Sequence, residues 1–190
     1  HSPARWLYLS DQYLGEKSTG PVPLMLKTLR PVLIFWDRWA AHRSAVYVAN
    51  ASVIKKRIEN VYGKKEVPIF FPPHSVDFEA STEPIPGLED FMGGDDYFLI
   101  VSRLLPYKNV DKAVEACNRL GKKLLVIGHG PEKEHLQQIS GDTIRIASGI
   151  SDAQLRYAYR HCLALLAISY EDFGITPLEA GASGKAVIAY

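Results

Sequence analysis

The hydrophobic and polar positions of the chain change period repeatedly in its second half. Short runs of apolar, β-favouring residues alternate there with stretches whose apolar positions recur every three or four residues. Tyr97 to Val101, Leu124 to Ile127 and Thr143 to Ile146 each read as a strand followed by a helix. Leu163 to Ser169, a helix from about Thr176, and Val187 to Tyr190 continue the series. Strict alternation predicts parallel βα units, because the crossover between parallel strands is usually helical. Runs such as Phe98-Leu99-Ile100-Val101 are apolar at every position, which suits strands covered on both faces. The expected class is α/β with a doubly wound parallel sheet.

Helix punctuation agrees with this reading. Val110, Ala113, Val114, Cys117 and Leu120 fall on one helical stripe, with Asn109 as N-cap and Gly121 as C-cap. Ser151 and Gln154 have the spacing of a capping box opening a helix from Asp152 to Arg160. Upstream, Val46 to Ala49 reads as a strand and Asn50 as a cap, and Val53, Ile54, Ile58 and Val61 form the buried stripe of a helix ended by Gly63. Val67 to Phe71 reads as a strand closed by Pro72-Pro73. Before Val46 lies a helical stretch with Leu24, Leu33, Phe35, Trp36 and Trp39, interrupted by Pro31. Core or interdomain packing is its expected use, ahead of lipid contact.

From Pro72 to Asp96 periodicity is lost, and Pro84, Pro86, Gly87, Gly93 and Gly94 gather among acidic residues. The expected organisation is therefore two parts, 1–71 and 97–190, joined by a linker over 72–96. The chain starts at His1 without a Met or a signal-peptide pattern and stops at Tyr190 directly after an apolar run, which predicts a fragment cut at both ends.

Composition narrows the function classes. With 47% hydrophobic residues, 23% charged residues and a net charge of +1, the chain has no blanket attraction to nucleic acid or anionic membrane. Any anion site must be local. The longest apolar run, Cys162 to Ile168, falls well short of the ~20 residues needed to cross a bilayer. Cys117 and Cys162 have no CxxC spacing and read as reduced core thiols, so a cytoplasmic location is expected.

In open parallel sheets ligands sit in the crevice beyond the carboxyl ends of the strands. After the first strand of the second half, Ser102 to Lys108 places Arg103 and Lys108 five residues apart in a loop entering a helix. Such a cation pair can hold a diphosphate, each charge-assisted contact contributing about 1.5 to 3 kcal/mol. After the next strand, Gly128-His129-Gly130-Pro131 permits a tight turn, with Pro131 expected in the first turn of the following helix. The turn lacks the third glycine of a dinucleotide fingerprint, and no Gly-Lys-Ser/Thr of an NTPase loop occurs in the chain. His129 reads as a loop side chain without chemistry.

Ser169-Tyr170 is followed by Glu171-Asp172-Phe173-Gly174-Ile175-Thr176-Pro177-Leu178-Glu179, a strand end, a glycine turn and a helix start. Thr176 as N-cap, Pro177 at N1 and Glu179 at N3 predict a capping box, which would account for Glu179 structurally. Glu171 has no such duty. An ionised carboxylate only accepts hydrogen bonds, so Glu171 suits sugar hydroxyls while the helix start favours a phosphate. Together they suit a sugar nucleotide.

These residues resemble a known family. The segment from Glu171 to Ala180 is similar to the two-glutamate signature of the retaining GT-B glycosyltransferases of glycosyltransferase family 4. Val101-Ser102-Arg103-Leu104 with Pro106-Tyr107-Lys108 resembles that family's diphosphate motif. Gly128 to Pro131 resembles its Gly-Asp-Gly-Pro turn, with His129 in place of the Asp. In the first half, His1-Ser2-Pro3-Ala4-Arg5, Trp36-Asp37-Arg38, Ala49-Asn50-Ala51-Ser52 and Phe71-Pro72-Pro73 resemble landmarks of its mannosyltransferase-like, polysaccharide-building branch.

The resemblance implies transfer of a mannose-type hexose from a nucleoside-diphosphate sugar to a glycan or lipid-linked acceptor, with retention of configuration. It implies that residues 1–71 are part of an acceptor-side Rossmann-like domain and that 97–190 form a nucleotide-sugar-binding Rossmann-like domain, incomplete at its C-terminus. Arg103 and Lys108 would neutralise the donor diphosphate with Ser102 beside them, Glu171 would bind the donor sugar, and Glu179 the ribose. Phe173, Gly174, Ile175 and Thr176 would offer backbone groups to the donor. Ile150 would lie near the base, and His1 would match an acceptor-domain histidine facing the donor sugar. No metal or other cofactor is expected, and the chain contains no Asp-x-Asp. The alternatives are a non-catalytic nucleotide-sugar-binding module and a GT-B sugar-nucleotide epimerase. Nucleic acid is not an expected partner; peripheral contact with the cytoplasmic face of a membrane remains a secondary expectation for the longer protein.

Overall fold

The computed structural model describes the chain except residues 1–2, 11–20, 45, 74–76, 78 and 190, with 21–24 described by backbone alone. It divides into two units, His1–Pro73 and His74–Tyr190.

The first unit contains α1 (Arg5–Tyr8), α2 (Pro21–His42) and α3 (Ser52–Tyr62). α2 runs unbroken through Pro31, contrary to the expected interruption. Pro31 and Lys27, the residue whose carbonyl loses its helical donor, both lie on the exposed side, where solvent can satisfy that carbonyl. The less exposed side of α2 carries Leu33, Ile34 and Ala41 together with two polar residues, Arg30 and Asp37. Tyr8 and Tyr62 both donate to Asp37 Oδ2, at 2.6 and 2.9 Å, and Arg30 Nε donates to the Leu7 carbonyl at 3.0 Å. Asp37 thus ties α1 and α3 to α2.

Phe35, Trp36 and Trp39 are 73%, 61% and 51% exposed, so the expected core packing of this aromatic run does not occur within the unit. The two expected strands of the first half reduce, among the described residues, to one parallel bridge between Ala49 and Ile69. Pro68 accepts from Ala49 N but has no N–H with which to extend a ladder. Ala51, not Asn50, occupies the N-cap of α3, without a side-chain bond, while Gly63 ends the helix in the left-handed conformation as expected.

The second unit begins with α4 (Glu89–Met92), inside the stretch read as a linker, and Ile85 and Met92 there are buried in its core. It continues through β1 (Tyr97–Val101), α5 (Val110–Leu120), β2 (Lys123–Ile127), α6 (Lys133–Ile139) and β3 (Ile144–Ala147). α7 (Asp152–His161), β4 (Ala164–Ala167), α8 (Ile175–Ala182) and β5 (Ala186–Ala189) complete it. The five strands are all parallel, in the order β3-β2-β1-β4-β5. This is the expected α/β fold with a doubly wound parallel sheet. Neighbouring residues of β1 point into opposite cores. Leu99 packs with Leu125, Tyr159, Leu165 and Ala180, whereas Ile100 packs with Val114, Leu124, Val126 and Leu136. Burying each such side chain stabilises the sheet by about 1.5 to 3 kcal/mol.

Ser151 and Gln154 form the expected capping box of α7, and Gly121 the expected left-handed cap of α5. Leu120, placed on the buried stripe by its spacing, is 65% exposed at the last position of α5. The chain lays β2 and β3 on one side of β1, then crosses to β4 and β5 on the other. The strand order therefore reverses between β1 and β4, which opens a crevice at their carboxyl ends.

Candidate functional site

Two loops meet at that reversal point. The loop after β1 carries Ser102 to Asn109 and folds Pro106–Lys108 into a 3-10 turn. Asn109 stands at the N-cap of α5 as expected, but in the left-handed conformation and without capping by its side chain. Its amide instead donates to the Ile168 carbonyl at the end of β4, at 3.4 Å. The turn after β2 holds the other side of the loop: Ser102 N donates to Ile127 O, Leu104 N to His129 O and Glu132 N to Leu104 O, at 2.8 to 3.1 Å. A Cβ at Gly128 would lie 1.9 Å from the Ser102 carbonyl oxygen, and one at Gly130 2.3 Å from that of Leu104. The glycines are therefore what lets this turn buttress the Arg103–Lys108 loop. The His129 side chain is exposed. Pro131 precedes α6 by two residues rather than entering its first turn, since the chain still turns at Pro131 and Glu132.

The loop after β4 brings Glu171 to the same place. Lys108 Nζ forms an ion pair with Glu171 Oε1, and Ser169 Oγ donates to the same oxygen at 2.7 Å. The Lys108 side chain is only 11% exposed and that of Glu171 32%, so the pair is partly shielded from water. The ammonium also lies 5.2 Å from the Tyr107 ring centroid, and the Arg103 guanidinium donates to the Tyr107 hydroxyl at 3.3 Å. Arg103 itself is exposed, and Ser102 Oγ is turned to the Arg103 carbonyl at 2.9 Å. Arg103, Tyr107, Lys108, Glu171 and Ser169 thus form one connected set spanning the ends of β1 and β4.

The expected capping box at Thr176 is absent. α8 starts at Ile175, and its N-cap is Gly174, left-handed with φ 81° and without a side-chain cap. A glycine that turns the chain in this way starts the helix ahead of the Thr-Pro pair. Glu179 then lies a full turn inside α8, beyond reach of the first N–H groups. It is 8% exposed, and the Tyr159 hydroxyl donates to its Oε2 at 2.6 Å. Burial, then the hydrogen bond to Glu179, raise the Tyr159 phenol far above its ordinary range, so it stays a proton donor.

The structure therefore brings Lys108 and Glu171 into direct contact and joins Arg103 to them through Tyr107. Glu179 is anchored separately, against α7. Phe173, Gly174 and Thr176 are half-buried, and Ile175 is exposed at the start of α8. Ile150 packs against the core beyond the end of β3. His1 lies outside the described residues. Tyr159, Tyr107 and Ser169 escaped the sequence reading as site residues. For Tyr159, only a polar group on a helix face destined for the core hinted at a partner. Among the described residues no three His, Cys, Asp or Glu side chains gather as a metal site, and no helix is long and apolar enough to cross a membrane.

No curated protein sequence matches the chain. Among solved structures, HepE of Anabaena, in complex with UDP and glucose, superposes with a TM-score of 0.67 at 20% identity, over 82% of this chain and 47% of its own. Sucrose-phosphate synthase of Thermosynechococcus elongatus gives 0.66 at 16% identity, over 96% and 47%. WaaG, a glycosyltransferase involved in lipopolysaccharide biosynthesis, gives 0.58 at 19%, over 75% and 43%. At these identities the likeness is one of fold, and the chain spans under half the length of each of these structures. The family model described as glycosyl transferases group 1 matches residues 85–190, which include the whole five-stranded sheet and both loops of the site. By that match over more than half its length, the chain belongs to the glycosyl transferases group 1 family, enzymes that transfer sugars.

Proposed function

We propose that the chain carries the donor half of a retaining transferase of glycosyltransferase family 4. It takes a hexose of mannose type from a nucleoside diphosphate and delivers it to a glycan or lipid-linked acceptor at the cytoplasmic face of a membrane. The observation that carries this reading is the meeting of Lys108 and Glu171 at the β1/β4 reversal, beside the uncapped start of α8.

Cleaving a hexose from a diphosphate builds negative charge on the leaving phosphate and positive charge on the ring carbon. Lys108 and Arg103 neutralise the first, and the backbone N–H groups at Gly174 and Ile175 add the positive end of the α8 dipole. Glu171, relieved of Lys108 by the incoming phosphates, accepts hydrogen bonds from hexose hydroxyls near the developing cation. Glu179 holds the ribose, Ile150 lies beside the base, and Ser102 and Thr176 border the phosphates. Retention of configuration follows from acceptor attack on the face the leaving group vacates, and His1 belongs to that acceptor side. These groups stabilise the leaving phosphate without calling on a metal.

The test is whether the hexose adds to donor affinity through Glu171. Wild-type chain should bind nucleoside-diphosphate hexose more tightly than nucleoside diphosphate, and Glu171→Ala should erase that gain while retaining the diphosphate. Equal gains in both proteins would remove Glu171 from the sugar site. The chain by itself is expected to bind donor weakly and to transfer no hexose.

A further inference from the structure

The structure assigns to Tyr159 the role of a positioning residue for Glu179, an inference that rests on the ribose-binding reading of that glutamate. Tyr159 is fully buried on α7, twenty positions before Glu179, with its ring packed among Tyr97, Leu99, Leu165 and Ala180. Its hydroxyl reaches out of this apolar cluster to Glu179 Oε2 at 2.6 Å, a length typical of a hydroxyl on a carboxylate.

Glu179 sits on α8, and its side chain is nearly sealed. Among the described residues no sealed side-chain oxygen lacks a partner, and Tyr159 is the donor that the fold supplies to this carboxylate. One oxygen is therefore spoken for, and the other is left for a ligand. With the carboxylate held in one rotamer before ligand arrives, binding does not have to order it, and the remaining oxygen faces a fixed direction. Glu171 is arranged on the same plan: Ser169 and Lys108 both hold Oε1. A merely structural tyrosine would need only some acceptor for its hydroxyl, and a backbone carbonyl serves as well, as the Ala158 carbonyl serves Tyr97 on the same face of the sheet. Spending that hydroxyl on the second glutamate of the signature links the core to the site.

The test titrates the wild-type chain, Tyr159→Phe, Glu179→Gln and the double variant with UDP, GDP and ADP, each beside its 2′,3′-dideoxy counterpart. Thermal melting monitors folding. The readout is the ratio of dideoxy to ribo dissociation constants, which a general loss of stability does not change. Wild type should favour ribose, and Glu179→Gln should bring the ratio near one. Tyr159→Phe should lower it about five- to tenfold, with no further loss in the double variant. An unchanged ratio in Tyr159→Phe, with Glu179→Gln showing the loss, overturns the role of Tyr159 and leaves the ribose reading standing. A wild-type ratio near one, or an unchanged ratio in Glu179→Gln, overturns both.

Discussion

Lys108 and Glu171 stand 63 positions apart in the sequence and meet as an ion pair where the strand order of the sheet reverses. Neither loop makes the pair by itself: β1 delivers the cation and β4 the carboxylate, and the register Phe98–Ala164 and Leu99–Leu165 sets them side by side. The pair satisfies both charges in the absence of ligand. A diphosphate competes for Lys108, and sugar hydroxyls are the natural replacement partners for Glu171.

Exchange of partners predicts opposite effects of the two truncations. Lys108→Ala should weaken nucleoside diphosphate binding about tenfold or more, from loss of a charge-assisted contact of about 1.5 to 3 kcal/mol. Glu171→Ala should leave it unchanged or tighten it, because the ammonium no longer has to leave a carboxylate. Calorimetry on the two variants distinguishes this from a purely structural ion pair, for which either truncation weakens binding alike.

Gly128 should tolerate no side chain. The Cβ of Gly128→Ala would collide with the Ser102 backbone, so the loop bearing Arg103 and Lys108 must shift. A loss of stability of about 1 to 3 kcal/mol, seen in chemical denaturation, should accompany lost nucleotide binding. Gly181→Ala, with nothing within 4 Å of its Cβ inside α8, should instead stabilise by about 0.5 to 1 kcal/mol.

In the first unit, Asp37 accepts from both Tyr8 and Tyr62, and Asp37→Ala should cost about 1 to 3 kcal/mol. Burial, then the bond to Asp37, push the Tyr8 phenol up to about 12. A group raised on folding stabilises fully below its unfolded value and loses that contribution as pH rises through the folded one. Alkaline titration followed by ultraviolet absorbance should therefore show a late phenol near pH 12 that Tyr8→Phe removes, with the unit loosening as it ionises.

Both cysteines are buried and free, and burial pushes the Cys162 thiol up to about 11. Native chain in mildly alkaline buffer should resist alkylation at Cys117 and Cys162, and denaturant should expose both, as counted by intact mass.

The sheet was legible because its strands are largely apolar and its helices carry their own stops, such as Gly121 and the Ser151–Gln154 box. The first unit was less so. Val46 to Ala49 and Val67 to Phe71 have strand composition, but a ladder needs a donor where Pro68 has none. At α8 the Thr-Pro-x-Glu pattern named a cap two residues too late, because Gly174 takes the left-handed conformation that starts the helix. Lys108 and Glu171 were legible as residue types, and their contact only as a consequence of strand order. The Tyr159–Glu179 bond joins two helices through the core, and no local pattern encodes it. In α2 the less exposed side is the one with Leu33, Ile34 and Asp37, which leaves Phe35 and Trp36 on the exposed side.

The most direct measurement is calorimetric titration of the chain with UDP, GDP and ADP beside Arg103→Ala. One of the three nucleotides should bind in preference to the others, and Arg103→Ala should weaken it about tenfold. Failure of all three to bind, or equal binding by wild type and Arg103→Ala, would contradict a diphosphate seat between the ends of β1 and β4.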